Sequence, residues 1–324
     1  MAQPNLEQFK KRGVAIKIET TAGTDAVPTS AANGVMLFNG SSGTEIDKIE
    51  RPVDRPFLGG NPFVVGGKRA FIEGEFELYP PATPGGAATS SADCEVLLLP
   101  AGMTAVKDNV AKTTKYNPVS ANIATASAYW YHAGTHKKVL GARNDLSNLS
   151  ISVGERFKGN IRIQGDYDTV TEAALPSITL PSTVPTTAKA SNTATNIQVG
   201  GGSDVLVWAK SLTVNLSNRI ANKEYTSHKE TGITERSPTF TLRIAKTALA
   251  DFNPWAARDS AEVFAARLRL TEEDGRYSEL GIRGQIEGIN EVDIDGDYGW
   301  ELTGPCVPSD AGGDEFYVLF GGVV

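Results

Sequence analysis

Apolar and polar residues alternate along most of this chain with a period of two. In Ala70–Tyr79 (AFIEGEFELY), Glu73, Glu75 and Glu77 fall on one side and Ile72, Phe76 and Leu78 on the other. Val205–Leu216 groups Leu206, Trp208, Leu212, Val214 and Leu216 against Ser211, Thr213 and Asn215. Phe240, Leu242 and Ile244 alternate with Thr239, Thr241 and Arg243, and Ile151, Val153, Ile161 and Ile163 follow the same rule. Such segments predict half-buried antiparallel strands with one wet face. Asn39-Gly40, Ala133-Gly134 and Asp274-Gly275 supply turn chemistry between them.

Helical patterning is scarce. Ser90–Leu99 (SSADCEVLLL) opens with Ser-x-x-Asp and continues apolar, which predicts one short helix. Asn253 suits an N-cap and Pro254 the first helical position, which predicts a second. Residues 171–203 are rich in Thr, Ser, Ala and Pro and close on three glycines, as in an extended connector, with a short strand at Asn196–Val199. The fold class expected is mainly β: a first unit over 1–175, a connector over 176–203 and a second unit over 204–324.

The two halves resemble one another. Leu140-Gly-Ala-Arg143 and Leu280-Gly-Ile-Arg283 match at an offset of 140 residues. Each follows a hairpin turn (Ala133–His136, Glu273–Gly275), and each precedes a strand region ending near Gly-Asp-Tyr or Gly-Pro-Cys. Upstream, each half has a polar, glycine-bearing loop (Asp54–Lys68, Asn222–Ser237), then a strand, then the short helix. A tandem copy of one β unit accounts for this shared order.

Composition narrows the function. Three His and two Cys leave little of the usual equipment for metal binding or nucleophilic catalysis, which leans against an enzyme. The N-terminal segment lacks the apolar core of a signal peptide, and no run approaches the ~18 apolar residues of a membrane span. Cytoplasmic synthesis with free thiols at Cys94 and Cys306 is expected. The net charge of −7 is uneven: residues 1–175 hold 18 basic and 18 acidic side chains, so the excess lies in the second half. Between Glu272 and Glu315, 13 acidic residues face only Arg276 and Arg283. Acidic surfaces repel phosphate backbones, so gripping nucleic acid is disfavoured.

The candidate chemical motifs are weak. His132 and His136 have ligand spacing for a helix, but the intervening Ala-Gly reads as a hairpin and no third ligand is near. Asp293, Asp295 and Asp297 begin like a calcium loop, yet Tyr298 stands where Gly belongs and Gly304 where Glu belongs. Gly66-Gly67-Lys68-Arg69 lacks the leading glycine and the Ser/Thr of a phosphate loop. No Gly-x-Ser-x-Gly elbow occurs. No cofactor is expected.

The order of motifs resembles a known family. Glu19-Thr-Thr-Ala-Gly-Thr24 is followed by a strand and then Arg51-Pro-Val-Asp-Arg-Pro-Phe-Leu-Gly-Gly60; next come a glycine-rich loop, a strand, a proline-rich midpoint and Asp251-Phe-Asn-Pro-Trp255. This layout resembles the major tail (tail tube) proteins of long-tailed, non-contractile bacteriophages. The resemblance implies small β-sandwich units with a flanking helix, whose sheets join between subunits into a barrel around a lumen. It implies rings stacked into a tube that conducts the genome, with the tape measure, tail terminator and distal tail proteins as further partners.

Two units per chain then imply trimeric rings of pseudo-hexameric symmetry, with hexameric rings as the alternative. On this reading Glu73, Glu75 and Glu77 are the candidates for a DNA-repelling lumen, and the protein resides in the virion. The resemblance further implies that the two polar loops reach the neighbouring ring, offering Arg55, Lys68, Arg69, Lys223, Lys229 and Arg236 for ion pairs between subunits. Two other classes remain open: a β-sandwich virion decoration or adhesin module, which predicts aromatic clusters at loop tips, and a polysaccharide-active β enzyme, which needs two inward carboxylates in an aromatic cleft.

Overall fold

Alternation becomes strand almost throughout. The computed structural model describes residues 11–54, 59–85, 92–179, 187, 189, 193–199, 205–227 and 229–322. The strands of the first half are β1 (Arg12–Ile18), β2 (Phe38–Glu50), β3 (Phe63–Glu77), β4 (Met103–Asp108), β5 (Thr113–Pro118), β6 (Ala126–His132), β7 (Thr135–Ser152), β8 (Lys158–Tyr167) and β9 (Thr171–Glu172). Then follow β10 (Thr193–Val199), β11 (Val205–Leu206), β12 (Ala209–Asn215), β13 (Asn218–Glu224), β14 (Lys229–Arg236) and β15 (Thr239–Ala245). The chain ends with β16 (Val263–Thr271), β17 (Tyr277–Gln285), β18 (Gly288–Ile294), β19 (Asp297–Pro305) and β20 (Phe316–Gly321). Helix α1 (Glu95–Leu98), continued by a 3-10 turn, precedes β4; α2 (Pro254–Asp259) precedes β16.

The strands form two large sheets and one hairpin. The main sheet runs β18-β19-β15-β12-β7-β8-β3-β2, with β6 and β9 also paired to β7 and β1 paired to β6. The second sheet runs β11-β10-β16-β17-β20-β5-β4, and β13-β14 stands as a separate pair. Both large sheets therefore contain strands from both halves of the chain. Their inner faces bury Leu149, Ile151, Leu212, Leu242 and Leu302 on one side and Leu268, Leu280, Val318 and Phe320 on the other. Phe240 of the main sheet meets Phe264 of the second edge to face, with centroids 5.4 Å apart.

Local chemistry explains several elements. Asn253 caps α2 by accepting from the Ala256 N–H (3.1 Å) and Pro254 takes the first position, as the sequence predicts. Trp255 of α2 then packs edge-on against Trp300 of β19. Ala133 and Gly134 take positive φ and turn β6 into β7, and Gly275 does the same between β16 and β17. The Gly-Asp-Tyr and Gly-Pro segments close β8 and β19.

Four expectations change. Asn39-Gly40 is not a hairpin turn but a bulge inside β2, with Gly40 so close to Trp130 that a Cβ would lie 3.1 Å from its ring. The Val205–Leu216 run is two strands on different sheets: a register shift at Ala209–Ser211 breaks its phase, burying Val207, Leu212, Val214 and Leu216 while Leu206 and Trp208 are exposed. The first helix begins at Glu95 with Cys94 at its cap, and Ser90 lies outside the described residues. Most of Asn222–Ser237 is the β13–β14 hairpin rather than a loop, and Phe63–Lys68 belongs to β3. Backbone pairing satisfies these polar, glycine-bearing segments although they bury few side chains.

Candidate assembly surface and lumen residues

The β2–β3 hairpin is the most exposed part of the main sheet. Near the base, Ile72 and Phe76 anchor β3 in the core. Towards the tip the alternation fails, and Ile46, Ile49, Phe63, Val64 and Val65 are all exposed, at 40–58%. Three consecutive apolar residues cover both faces of a strand, so this arm offers apolar surface on two sides. Lys48 sits over the Phe63 ring (5.2 Å), and one guanidinium nitrogen of Arg69 reaches both carboxylate oxygens of Asp47, 2.7 Å to each. Lys68 is exposed and has no ion pair among the described residues. Arg55, expected in the same loop, lies outside the described residues.

The β13–β14 hairpin lies beside the foot of that arm. Lys229 bridges Asp166 of β8 (3.1 Å) and Glu224 (3.3 Å), while Lys223 faces Glu230 at 3.5 Å. Burial works against the charge of Lys229, but the hydrogen bonds and proximity of Asp166 and Glu224 raise its pKa overall. Arg236 is different. Its guanidinium is largely buried, donating to the Gly102 and Val119 carbonyls and pairing with Glu315, so it ties the hairpin to the rest of its own chain.

The glutamates of β3 alternate as the sequence predicts but occupy three environments. Glu73 pairs with Arg162 of β8, which also reaches Glu45 at 3.2 Å and lies over the Phe71 ring. Glu75 accepts from the Asn39 side chain (3.1 Å) and is half-buried. Glu77 is buried, 7% exposed, and held by Arg156. Glu73 and Glu75 thus share a solvent-reaching face, and Glu77 serves the interior end of the strand.

A family model described as phage tail tube protein matches residues 10–302, nearly the whole chain. The chain belongs to the phage tail tube family. That family is structural rather than enzymatic and is a component of the virion. A search of curated proteins gives no match.

For a tail tube protein the remaining sequence motifs have structural roles. His136 stacks on Tyr131 (4.5 Å, 6°) in the β6–β7 hairpin. Gly296 donates to Asp293 (2.7 Å), and Lys210 pairs with Asp295 (2.6 Å), so the Asp293–Asp297 run closes the β18–β19 turn. Among the described residues no group of three or more His, Cys, Asp and Glu could hold a metal. Tyr129 and Trp130 are buried in β6, not presented at a loop tip. Cys94 and Cys306 are buried free thiols, and burial pushes the Cys306 thiol up to about 12. No helix among the described residues is long and apolar enough to cross a membrane.

The apolar arm itself escaped the sequence reading. Its signal is Phe63-Val64-Val65, a run that breaks the alternation of the strand it begins.

Proposed function

We propose that this chain assembles with itself into stacked rings forming the tail tube of a long-tailed phage, and that double-stranded DNA passes through the bore. The observation that carries this reading is the β2–β3 arm, whose tip exposes Ile46, Ile49, Phe63, Val64 and Val65 on a chain of the tail tube family. A free monomer gains nothing from that surface, whereas a neighbouring ring buries it.

Lys68 and Arg69 at the arm, with Lys223 and Lys229 beside its foot, supply charge for pairing across rings. Arg55 belongs to the same proposed set. Rings of three chains with pseudo-hexameric symmetry follow from two β units per chain, with six-chain rings as the alternative, and the tape measure, terminator and distal tail proteins meet the tube along its axis and ends.

The bore has to pass DNA without holding it. Glu73 and Glu75 are the carboxylates proposed to face it, repelling phosphates over ~8 Å at physiological salt; Glu77, buried and paired with Arg156, holds the interior end of the same strand rather than the wall. The chain is synthesised in the host cytoplasm and acts in the virion.

Electron microscopy of the purified protein tests the reading. Hollow tubes or stacked rings are expected, and stable monomers under all conditions overturn it.

A further inference from the structure

One face of the main sheet can be followed strand by strand through its register. Glu73 and Glu75 of β3 stand opposite Arg162 and Asn160 of β8. Lys158 of β8 stands opposite Ser150 of β7, past the register shift that changes the phase of β7 after Ser147. Ser150 and Ser152 face Thr213 and Ser211 of β12; these face Thr241 and Arg243 of β15, which face Thr303 and Glu301 of β19. None of these residues is buried, whereas Ile161, Ile151, Leu212, Leu242 and Leu302, which alternate with them, are. The face that carries Glu73 and Glu75 therefore continues across β12 and β15 to Glu301.

The middle of this face is neutral. Ser150, Ser152, Ser211, Thr213, Thr241 and Thr303 present hydroxyls, and Thr213 donates to Ser150 Oγ at 2.9 Å. Charge lies on either side of that band, where the cations are Arg162, Lys158 and Arg243. Each is held by a carboxylate of its own chain. Glu73 and Glu45 hold Arg162, and Glu155 holds Lys158 at 2.8 Å. Glu301 holds Arg243, its Oε2 lying 2.6 Å from both Nε and Nη2. Glu75 differs: it accepts from the Asn39 amide and has no ion pair among the described residues.

Pairing changes what a passing phosphate meets. A bare guanidinium takes phosphate in the same two-pronged way as carboxylate, and each cation so engaged releases roughly one condensed counterion. Beside a fixed carboxylate the two charges cancel at a distance, and phosphate has to displace the carboxylate to bind. Arg243 and Glu301 stand directly opposite one another on paired strands, so the competing carboxylate is always at hand.

We propose that Glu301 is a positioning residue for DNA passage, masking Arg243 so that this cation ties β15 to β19 without offering a phosphate site. Glu45 and Glu73 mask Arg162 in the same way. The inference rests on the reading that this face lines the bore. It adds that pairing of the wall's cations, beyond its summed negative charge, keeps DNA from being held.

Arg243 is the cation to unmask, because its side chain is 52% exposed against 38% for Arg162 and 42% for Lys158. Glu301→Gln keeps an acceptor of the same shape and frees the guanidinium. Virions carrying it are expected to release DNA at least about tenfold more slowly at low salt and to recover at high salt, since every copy in the tube adds a phosphate site. Arg243→Gln/Glu301→Gln removes both charges and is expected to restore the wild-type rate. Glu75→Gln alters the net charge of the face by the same amount but frees no cation, and is expected to stay within about twofold of wild type. A wild-type rate for Glu301→Gln, or equal slowing by Glu75→Gln, overturns the masking. Slowing by Glu73→Lys/Glu75→Lys without slowing by Glu301→Gln overturns the masking alone; no slowing by either overturns the bore reading with it.

The unassembled chain covers the case in which variant virions do not form. Its wet face is open, and Glu301→Gln is expected to bind a DNA duplex of about 20 base pairs at least about threefold tighter than wild type at about 50 mM salt. One added phosphate contact loses that gain by about 200 mM salt, and the double variant does not show it. Wild-type binding by Glu301→Gln, with the fold intact by circular dichroism, overturns the masking.

Discussion

Arg236 and Glu315 form a 2.8 Å ion pair that is largely withdrawn from solvent, their side chains 13% and 6% exposed. The same guanidinium donates to the Gly102 and Val119 carbonyls, so one side chain joins the β14 hairpin, the turn after α1, the end of β5 and the approach to β20. Removing one partner strands a buried charge, and Arg236→Ala is expected to cost about 3–5 kcal/mol. Arg69→Ala breaks an exposed pair with Asp47 and is expected to cost no more than about 1 kcal/mol. Urea unfolding of both variants checks the contrast; equal losses count against it.

That contrast marks what the sequence could reveal. Strand alternation was legible wherever one face is wet, as in β3, β8 and β15, because burial leaves a period of two. The α2 cap was legible because Asn-Pro has one strong local use. The fate of Arg236 was not, since its burial depends on Gly102, Val119 and Glu315, all distant in sequence. The Val205–Leu216 phase break was hidden for a similar reason: a bulge at the start of β12 leaves composition unchanged. Glu77 alternates with Glu73 and Glu75, yet only the packing above it distinguishes their environments.

His136 gives a pH dependence of defined sign. Burial, and secondarily the charge of Lys138, lower its pKa from the ordinary value of about 6.5. The unfolded chain then binds the proton more readily, so stability rises with pH through this group. Its contribution is complete above the ordinary value and is lost as pH falls below it. His136→Phe keeps a ring against Tyr131 and removes the proton site. The urea midpoint of the variant is expected to fall less than that of wild type between pH 7.5 and pH 5.5; parallel falls contradict the assignment.

The arm separates folding from assembly. Phe63, Val64 and Val65 are exposed in the single chain, so Phe63→Ser/Val64→Ser/Val65→Ser removes little buried surface. Thermal stability of the monomer is expected to change by no more than about 1 kcal/mol. Stacking of rings, followed by sedimentation and electron microscopy, is expected to be lost. Full-length tubes from this variant remove the arm from the inter-ring contact.

The lumen assignment calls for a charge reversal that spares the fold. Glu77 is left intact, because Arg156 and the interior of β3 depend on it. In Glu73→Lys/Glu75→Lys, Arg162 loses Glu73 but keeps Glu45 at 3.2 Å, so tubes are expected to assemble. Every copy then turns a repelling wall into one that releases counterions on binding phosphate, and DNA is retarded in the bore. Infectivity of virions carrying the variant is expected to drop by at least about tenfold, with partial recovery of DNA release at high salt, where binding to a basic wall weakens. The acidic Glu272–Glu315 stretch supplies the control: Asp310→Lys, on an exposed loop of the second half, is expected to leave infectivity unchanged if that stretch faces outward. Normal infectivity of the Glu73/Glu75 variant removes both residues from the bore.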